Sequence, residues 1–354
     1  MYIKKVDLKN FSAFDKADLE LCPGINVLIG ANATGKTHLL KLLYAVCASA
    51  PKRSEPGNAE RFEKRVESKL INVFKPDEDG LERLIRGDET EACIDVQFNQ
   101  GKVEFEIDVS GGLDVAKSSF KDQVRSLFIP SKEVLSLFPG FVETYMAKDI
   151  AFDETYNDIC VALSGSYLKS KSPERVAMID ELEKDLGGKV YFSGKDFRIK
   201  AQGDKYGTEA HLISEGMRKL AMLAHLLSTG AIRRDGILFW DEPESSLNPR
   251  FVTKIANFIR RLAAMNVQVI LATHDYLLSR ELSLAAEYCE APVVPTRFFC
   301  FQRENLQSPA TINSGERLAD LDKNPILQEF SRHYDREQTL FYDSAEKGVK
   351  KHAH

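Results

Sequence analysis

The run Gly30-Ala-Asn-Ala-Thr-Gly35-Lys36-Thr37 lies between an apolar segment, Ile25 to Ile29, and an apolar-periodic one, Lys36 to about Ala48. A buried strand, a glycine loop and a helix in that order commit this part of the chain to an α/β architecture. Glycine at both ends lets the backbone curl until several N–H groups converge on one point, where an anion is the natural occupant. The positive end of the following helix faces the same anion. The spacing G-x-x-x-x-G-K-[ST] puts Lys36 on the β- and γ-phosphates of a nucleotide and the Thr37 hydroxyl on Mg²⁺. Gly30, Ala31, Asn32, Ala33, Thr34, Gly35, Lys36, Thr37 and the next residue, His38, are therefore the expected nucleotide contacts.

A second apolar strand, Ile237 to Trp240, ends in two carboxylates, Asp241 and Glu242. Ligands of an open parallel sheet bind beyond the carboxyl ends of its strands. Asp241 is thus placed to hold Mg²⁺, and Glu242 to polarise the water that attacks the γ-phosphate. Their mutual repulsion is offset by a bound cation. One strand-helix-strand unit later, His274 ends the strand Val267 to Ala272, within reach of the same water. In Leu212-Ile-Ser214-Glu215-Gly216-Met-Arg-Lys-Leu220, Ser214, Gly216 and backbone amides stand at the start of a helix, a second anion-binding tip.

Elsewhere the pattern is coarser. Met1 to Leu21 suggests two short strands. CIDVQF-NQGK-VEFEIDV and VYFSGKDFRIK suggest hairpins, and SLFIP, from Ser126, a buried strand. The charged stretch PKRSEPGNAERFEKRVESK suggests a solvated loop running into a surface helix, and Ser131 to Lys184 is mainly helical with a break at Pro139-Gly140. Helices are expected over Glu215 to Leu227 and Pro249 to Ala264. Strand and helix in alternation predict a parallel α/β core. A length of 354 residues allows one large domain with a subdomain or two small domains; of these we expect one ATPase domain over 1–354, with a helical or lid insertion at about 131–210. Six scattered cysteines without a CxxC pair argue for reduced thiols rather than a disulfide framework or zinc site. The amino terminus reads as a strand, and no apolar run approaches the ~18 residues that cross a bilayer, so a cytoplasmic protein without a membrane partner is expected. A net charge of -5 gives no global attraction to nucleic acid, which leaves only local patches for it.

GANATGKT, LISEGMRKL, ILFWDEPESSLNP and LATHD, in that order, make the chain resemble the ABC-type ATPases, in particular their RecF-like and OLD-like branch labelled AAA. The resemblance implies a P-loop NTPase of ABC type. Its mixed central sheet would carry an antiparallel β subdomain and a helical subdomain bearing the signature motif. By position it makes Gly30 to Thr37 the Walker A loop, and Asp241 and Glu242 Walker B with the catalytic glutamate. Ser214-Glu215-Gly216 become the signature, Ser246-Leu247-Asn248 the D-loop and His274 the switch histidine. In such ATPases the signature serine and glycine touch the nucleotide of a second protomer. The resemblance thus implies a homo-oligomer, at least a dimer, closed head to tail around ATP. The family's Q-loop glutamine is replaced in its region by Glu133, a candidate metal ligand; Gln123 lies before the apolar strand. SEG in place of SGG argues against a transporter subunit.

About 80 residues follow His274, short for the Toprim nuclease that many OLD-like proteins carry; Asp320 and Asp322 are expected to be surface residues. The leading expectation is an ATPase that gates or senses for a separate effector. That arrangement is similar to the ATPase subunits of phage-defence systems such as PARIS and Septu. The alternatives are a RecF-like DNA clamp using Lys64, Arg65, Lys69, Arg260 or Arg261, and a nucleotide-dependent scaffold that barely turns ATP over.

Overall fold

The computed structural model describes residues 1–51, 59–120, 123–147, 150–194 and 196–351. β1 (Ile3–Phe11) and β2 (Phe14–Glu20) pair antiparallel, and β3 (Ile25–Gly30) runs through the glycine loop into α1 (Lys36–Ser49). After α2 (Ala59–Phe74) come β4 (Glu91–Phe98), β5 (Gly101–Asp108) and β6 (Leu113–Phe120). Together with the first two strands they form an antiparallel sheet of order β2-β1-β4-β5-β6.

β7 (Ser126–Ile129) leads into α3 (Phe141–Met146), α4 (Glu154–Leu163) and α5 (Pro173–Leu186). A small antiparallel sheet follows, made of β8 (Lys189–Phe192), β9 (Phe197–Lys200) and β10 (Thr208–Glu209). The chain then alternates: α6 (Glu215–Thr229), β11 (Ile237–Asp241), α7 (Pro249–Ala264), β12 (Gln268–Thr273), α8 (Tyr276–Glu287), β13 (Thr296–Gln302). β14 (Thr311–Gly315) and α9 (Pro325–Lys351) close it. The central sheet has the order β14-β13-β3-β12-β11-β7, with β14 its antiparallel member.

The central strands are covered on both faces, so they read as unbroken apolar runs. Period-2 alternation still sorts their side chains. Val27, Leu238, Trp240, Val269, Leu271 and Phe298 face the core shared with α4 to α7. Leu28, Phe239, Ile270, Ala272, Phe299 and Phe301 face the core beneath the antiparallel sheet. α1 lies between that sheet and the central one and is apolar nearly all round, with Leu39, Leu40, Leu42, Leu43, Tyr44 and Val46 buried, as a helix enclosed on every side must be.

The two sheets are joined by a buried amide. The β1–β4 ladder slips between Ile3 and Lys5, and Gln268 at the start of β12 takes up the freed groups. Its Oε1 accepts from the Ile3 amide at 2.8 Å, and its Nε2 donates to the carbonyls of Ile3 at 2.8 Å and Cys22 at 2.9 Å.

Two points differ from expectation. Residues 131–138, expected to be helical, form bends and turns, because Glu133 bonds the nearby amides of Leu135 and Ser136 in competition with a helix, while the expected break at Pro139-Gly140 is found. β6 is an added strand at a sheet edge; its outward residues are polar, so its alternation is weak. α2 is a surface helix as expected, with Phe62, Val66, Leu70 and Val73 buried along the face that packs on α1 and β6 and Lys64, Ser68 and Asn72 exposed on the other. The loop expected ahead of it, 52–58, falls outside the described residues. Asp320 and Asp322 are exposed, and Asp320 caps a turn by accepting from the amides of Glu316 and Arg317. Among the described residues no helix is long and apolar enough to cross a membrane.

Gln268→Leu strips three buried backbone groups of their partner while keeping volume. It is expected to lower unfolding free energy by about 3 kcal/mol, measured by urea denaturation.

Candidate active site

Parallel pairing brings the chemistry to one edge. Asp241 lies opposite Ala272, Thr273 opposite Ile29, and Phe301 opposite Gly30, so four strands end together. The loop from Gly30 to Gly35 holds backbone conformations that favour glycine, with φ of +151° and +95° at its two ends. A Cβ on Gly30 would lie 2.3 Å from the Phe301 carbonyl oxygen, and one on Gly35 2.7 Å from the Phe14 ring. The curled loop, Ser12, Ala13 and the ends of β11 and β12 enclose a cavity of about 440 Å³, into which Lys36, Thr37, Asp241 and Glu242 all open.

Within it, the Lys36 ammonium donates to the carbonyls of Gly30 at 2.7 Å and Ala31 at 2.6 Å. Burial lowers its pKa, against the pull of Asp241 and Glu242. The Thr37 hydroxyl donates to the Asp241 carboxylate at 3.1 and 3.2 Å. Burial, and then the Glu242 charge beside it, push Asp241 up to about 6. A half-buried hydroxyl–carboxylate pair whose anionic form is only partly compensated by Thr37 and the nearby lysines suits a divalent cation, and Mg²⁺ takes one or two protein oxygens plus substrate phosphates. Among the described residues no cluster of three or more His, Cys, Asp or Glu competes for that role. His38, just behind Thr37, keeps an exposed edge, and its pKa is lowered by the protein atoms crowded around it; it packs edge-on to Phe74, with its Nδ1 against the Ser12 hydroxyl.

Glu242 holds a positive φ of +47°, a strained state for this side chain. It directly follows the last residue of β11, and its Oε1 stands 3.2 Å from His274 Nδ1. Ser214 and Gly216, at the start of α6, do not line this cavity. Ser214 is exposed and makes no side-chain capping bond. Gly216 lies so close to the 242–247 loop that a Cβ would meet the Ser246 carbonyl oxygen at 2.8 Å.

Glu133 departs from its expected role as a metal ligand. Its side chain is nearly fully buried. One oxygen pairs with Arg218 Nε at 2.6 Å and accepts from the Ser136 hydroxyl, and the other accepts from the Leu135 and Ser136 amides. With both oxygens taken, it ties the loop after β7 to α6.

Three participants escape a motif reading. Lys219, 1% exposed, aims its ammonium at the loop after β11, donating to the carbonyls of Glu242 (3.2 Å), Pro243 (3.2 Å) and Ser245 (2.9 Å) and to the Ser245 hydroxyl (2.6 Å). Burial brings its pKa down to about 8. Glu244, raised by burial, accepts from the Thr273 hydroxyl at 2.7 Å. Arg218 is the partner of Glu133. The signal available was a basic pair on a helix whose neighbours are all apolar, which sets an unpaired charge in the core unless a loop closes on it.

This fold is that of the ABC-type ATPases. An SMC head bound to the C-winged helix domain of ScpA superposes with a TM-score of 0.58 at 12% identity, covering 91% of this chain and all of that one. The SMC head domain from Thermotoga maritima gives 0.50 at 14% identity, covering 88% and 98%. In sequence, residues 1–133 match the family described as AAA ATPase domain. Residues 166–280 match the one described as AAA domain, putative AbiEii toxin, Type IV TA system. The chain is similar to DNA replication and repair protein RecF of Acetivibrio thermocellus, at 22% identity over 275 residues covering 78% of this chain and 58% of the relative. It is also similar to RecF of Pectobacterium atrosepticum, at 33% over 118 residues covering 33% and 30%. The aligned segments thus span less than two thirds of the RecF relatives' length. Two segments of the chain, 1–133 and 166–280, thus match AAA-domain families, and its sequence is similar to that of RecF.

Lys219→Met leaves the carbonyls of the 242–245 loop without their buried donor. The expected loss is about 3 kcal/mol of unfolding free energy in urea. Arg261→Met, which removes a half-exposed pair with Glu181, is expected to cost under about 1 kcal/mol.

Proposed function

We propose that this chain is a magnesium-dependent ATPase that closes head to tail on a second copy of itself around ATP. The observation that carries the reading is the meeting of Lys36, Thr37, Asp241 and Glu242 in one cavity at the ends of parallel strands. The backbone from Gly30 through His38, with Ala31, Asn32, Ala33 and Thr34 at the crown, cradles the triphosphate. Lys36 leaves its carbonyl partners for the β- and γ-phosphates and offsets charge as the bond between them breaks. Thr37 and Asp241 would hold the Mg²⁺, which when bound neutralises phosphate charge. Glu242 takes a proton from water, whose oxygen attacks the γ-phosphorus while ADP departs with the electron pair. His274, beside the Glu242 carboxylate, orients that carboxylate toward the water. Ser214 and Gly216 of one copy complete the site of the other, which agrees with their place outside the cavity of their own chain.

The class of output we infer is gating or sensing for a separate effector in prokaryotic antiviral defence. Support comes from the match to an ATPase family whose description includes a toxin system. A RecF-like DNA clamp is the second reading, favoured by the similarity to RecF. Its basic candidates are largely engaged. Lys69 pairs with Glu154 and Asp158, Arg260 with Glu290, and Arg261 with Glu181. An ATP-dependent gel shift of DNA that weakens steeply with salt would decide for the clamp, and none at low salt against it.

Glu242→Gln is expected to lower steady-state phosphate release by at least about 100-fold while retaining ATP binding, and Lys36→Ala to abolish binding. Unchanged turnover in Glu242→Gln would remove the assigned chemistry.

A further inference from the structure

We propose that residues 303–310, the connection between β13 and β14, form the nucleoside wall of the site, with Leu306 as an apolar shelf for the base. The inference rests on the reading of Gly30 to Thr37 as a triphosphate cradle. Arg303 and Leu306 line the same cavity as Lys36 and Thr37, although they follow them by more than 260 residues. Its volume of about 440 Å³ suits a whole nucleotide rather than a bare phosphate group.

The wall is built to hold its shape. Arg303 Nη1 donates to the Ala33 carbonyl at 3.0 Å, Nε to the Ser308 carbonyl at 2.8 Å, and Nη2 to the Leu306 carbonyl. Arg86, paired with Asp15, donates to the Gln307 carbonyl at 2.6 Å. Asn305 Oδ1 accepts from the amides of Gln307 and Ser308, both at 2.9 Å. The Ala310 amide closes the loop onto the β1–β2 turn by donating to the Ala13 carbonyl at 2.8 Å. In the middle of this network Leu306 stands 67% exposed. A single exposed leucine is ordinary. One fixed at the mouth of the phosphate cavity is a surface waiting for a flat apolar partner.

The hydrogen bonding says which part of the nucleotide belongs there. Every nitrogen of the Arg303 guanidinium is turned to a backbone carbonyl, so the arginine builds the wall instead of contacting a phosphate. The anionic end of the ligand therefore goes to Lys36 and the base to Leu306. Contact through an apolar face reads the area of a base and ignores its edge. ATP and GTP should bind alike, and both should outbind inorganic tripolyphosphate.

Calorimetric titration of the full chain with Mg²⁺ and ATP, GTP or inorganic tripolyphosphate tests this. Wild type is expected to bind both nucleotides at least about tenfold more tightly than tripolyphosphate. Leu306→Ser should weaken both nucleotides by about tenfold and leave tripolyphosphate within about twofold, and Leu306→Met should restore them. Wild-type affinity for ATP in Leu306→Ser, or an equal loss for ATP and tripolyphosphate, overturns the proposal. Wild type that binds neither ligand overturns the triphosphate cradle itself, and the wall with it.

Discussion

The side-by-side pairing of β11, β12, β3 and β13 is the constraint from which the rest follows. Parallel strands buried on both faces have little freedom of register, since a slip of one residue would exchange the two cores. With the register fixed, Gly30, Asp241 and Thr273 must end at one edge, as they do. The functional groups begin where each apolar run stops. The sheet therefore acts as a jig, and the loops at its edge inherit their positions from hydrophobic burial hundreds of residues apart in the chain.

Much of this could be read from the residues. The glycine loop and the two strands ending in Asp241 and near His274 are continuous apolar runs closed by polar residues. Such runs have one stable reading in an α/β protein. α7 is found at the expected boundaries because Pro249 and the Asn248 cap mark its start. What escaped depends on pairing at a distance. The weight of the last third of the chain, with β13 beside β3, cannot be seen in any local window. Glu133 looked available because its region matched a loop that contacts nucleotide. Only the fold shows that Arg218, 85 residues away, claims it. The buried Lys219 was legible as an anomaly on an apolar helix, but its four acceptors lie on a loop whose path the sequence does not print.

Charge inside the site is managed mainly by backbone carbonyls. Lys36 and Lys219, both at least nine-tenths buried, are each met by carbonyl oxygens. Asp241 and Glu244 respond to the same burial by rising toward neutrality. Such a site resists collapse without a strong ion pair and still leaves its lysine free to exchange one set of oxygens for another.

α6 is fastened at both sides of its first turn, to the loop after β7 through Arg218 and to the loop after β11 through Lys219, while Gly216 rides against Ser246. The exposed tip of the helix at Ser214 and the peptide of Glu242 are thereby neighbours through Lys219, although 28 residues separate them in the chain. The outer surface and the site share one short chain of hydrogen bonds.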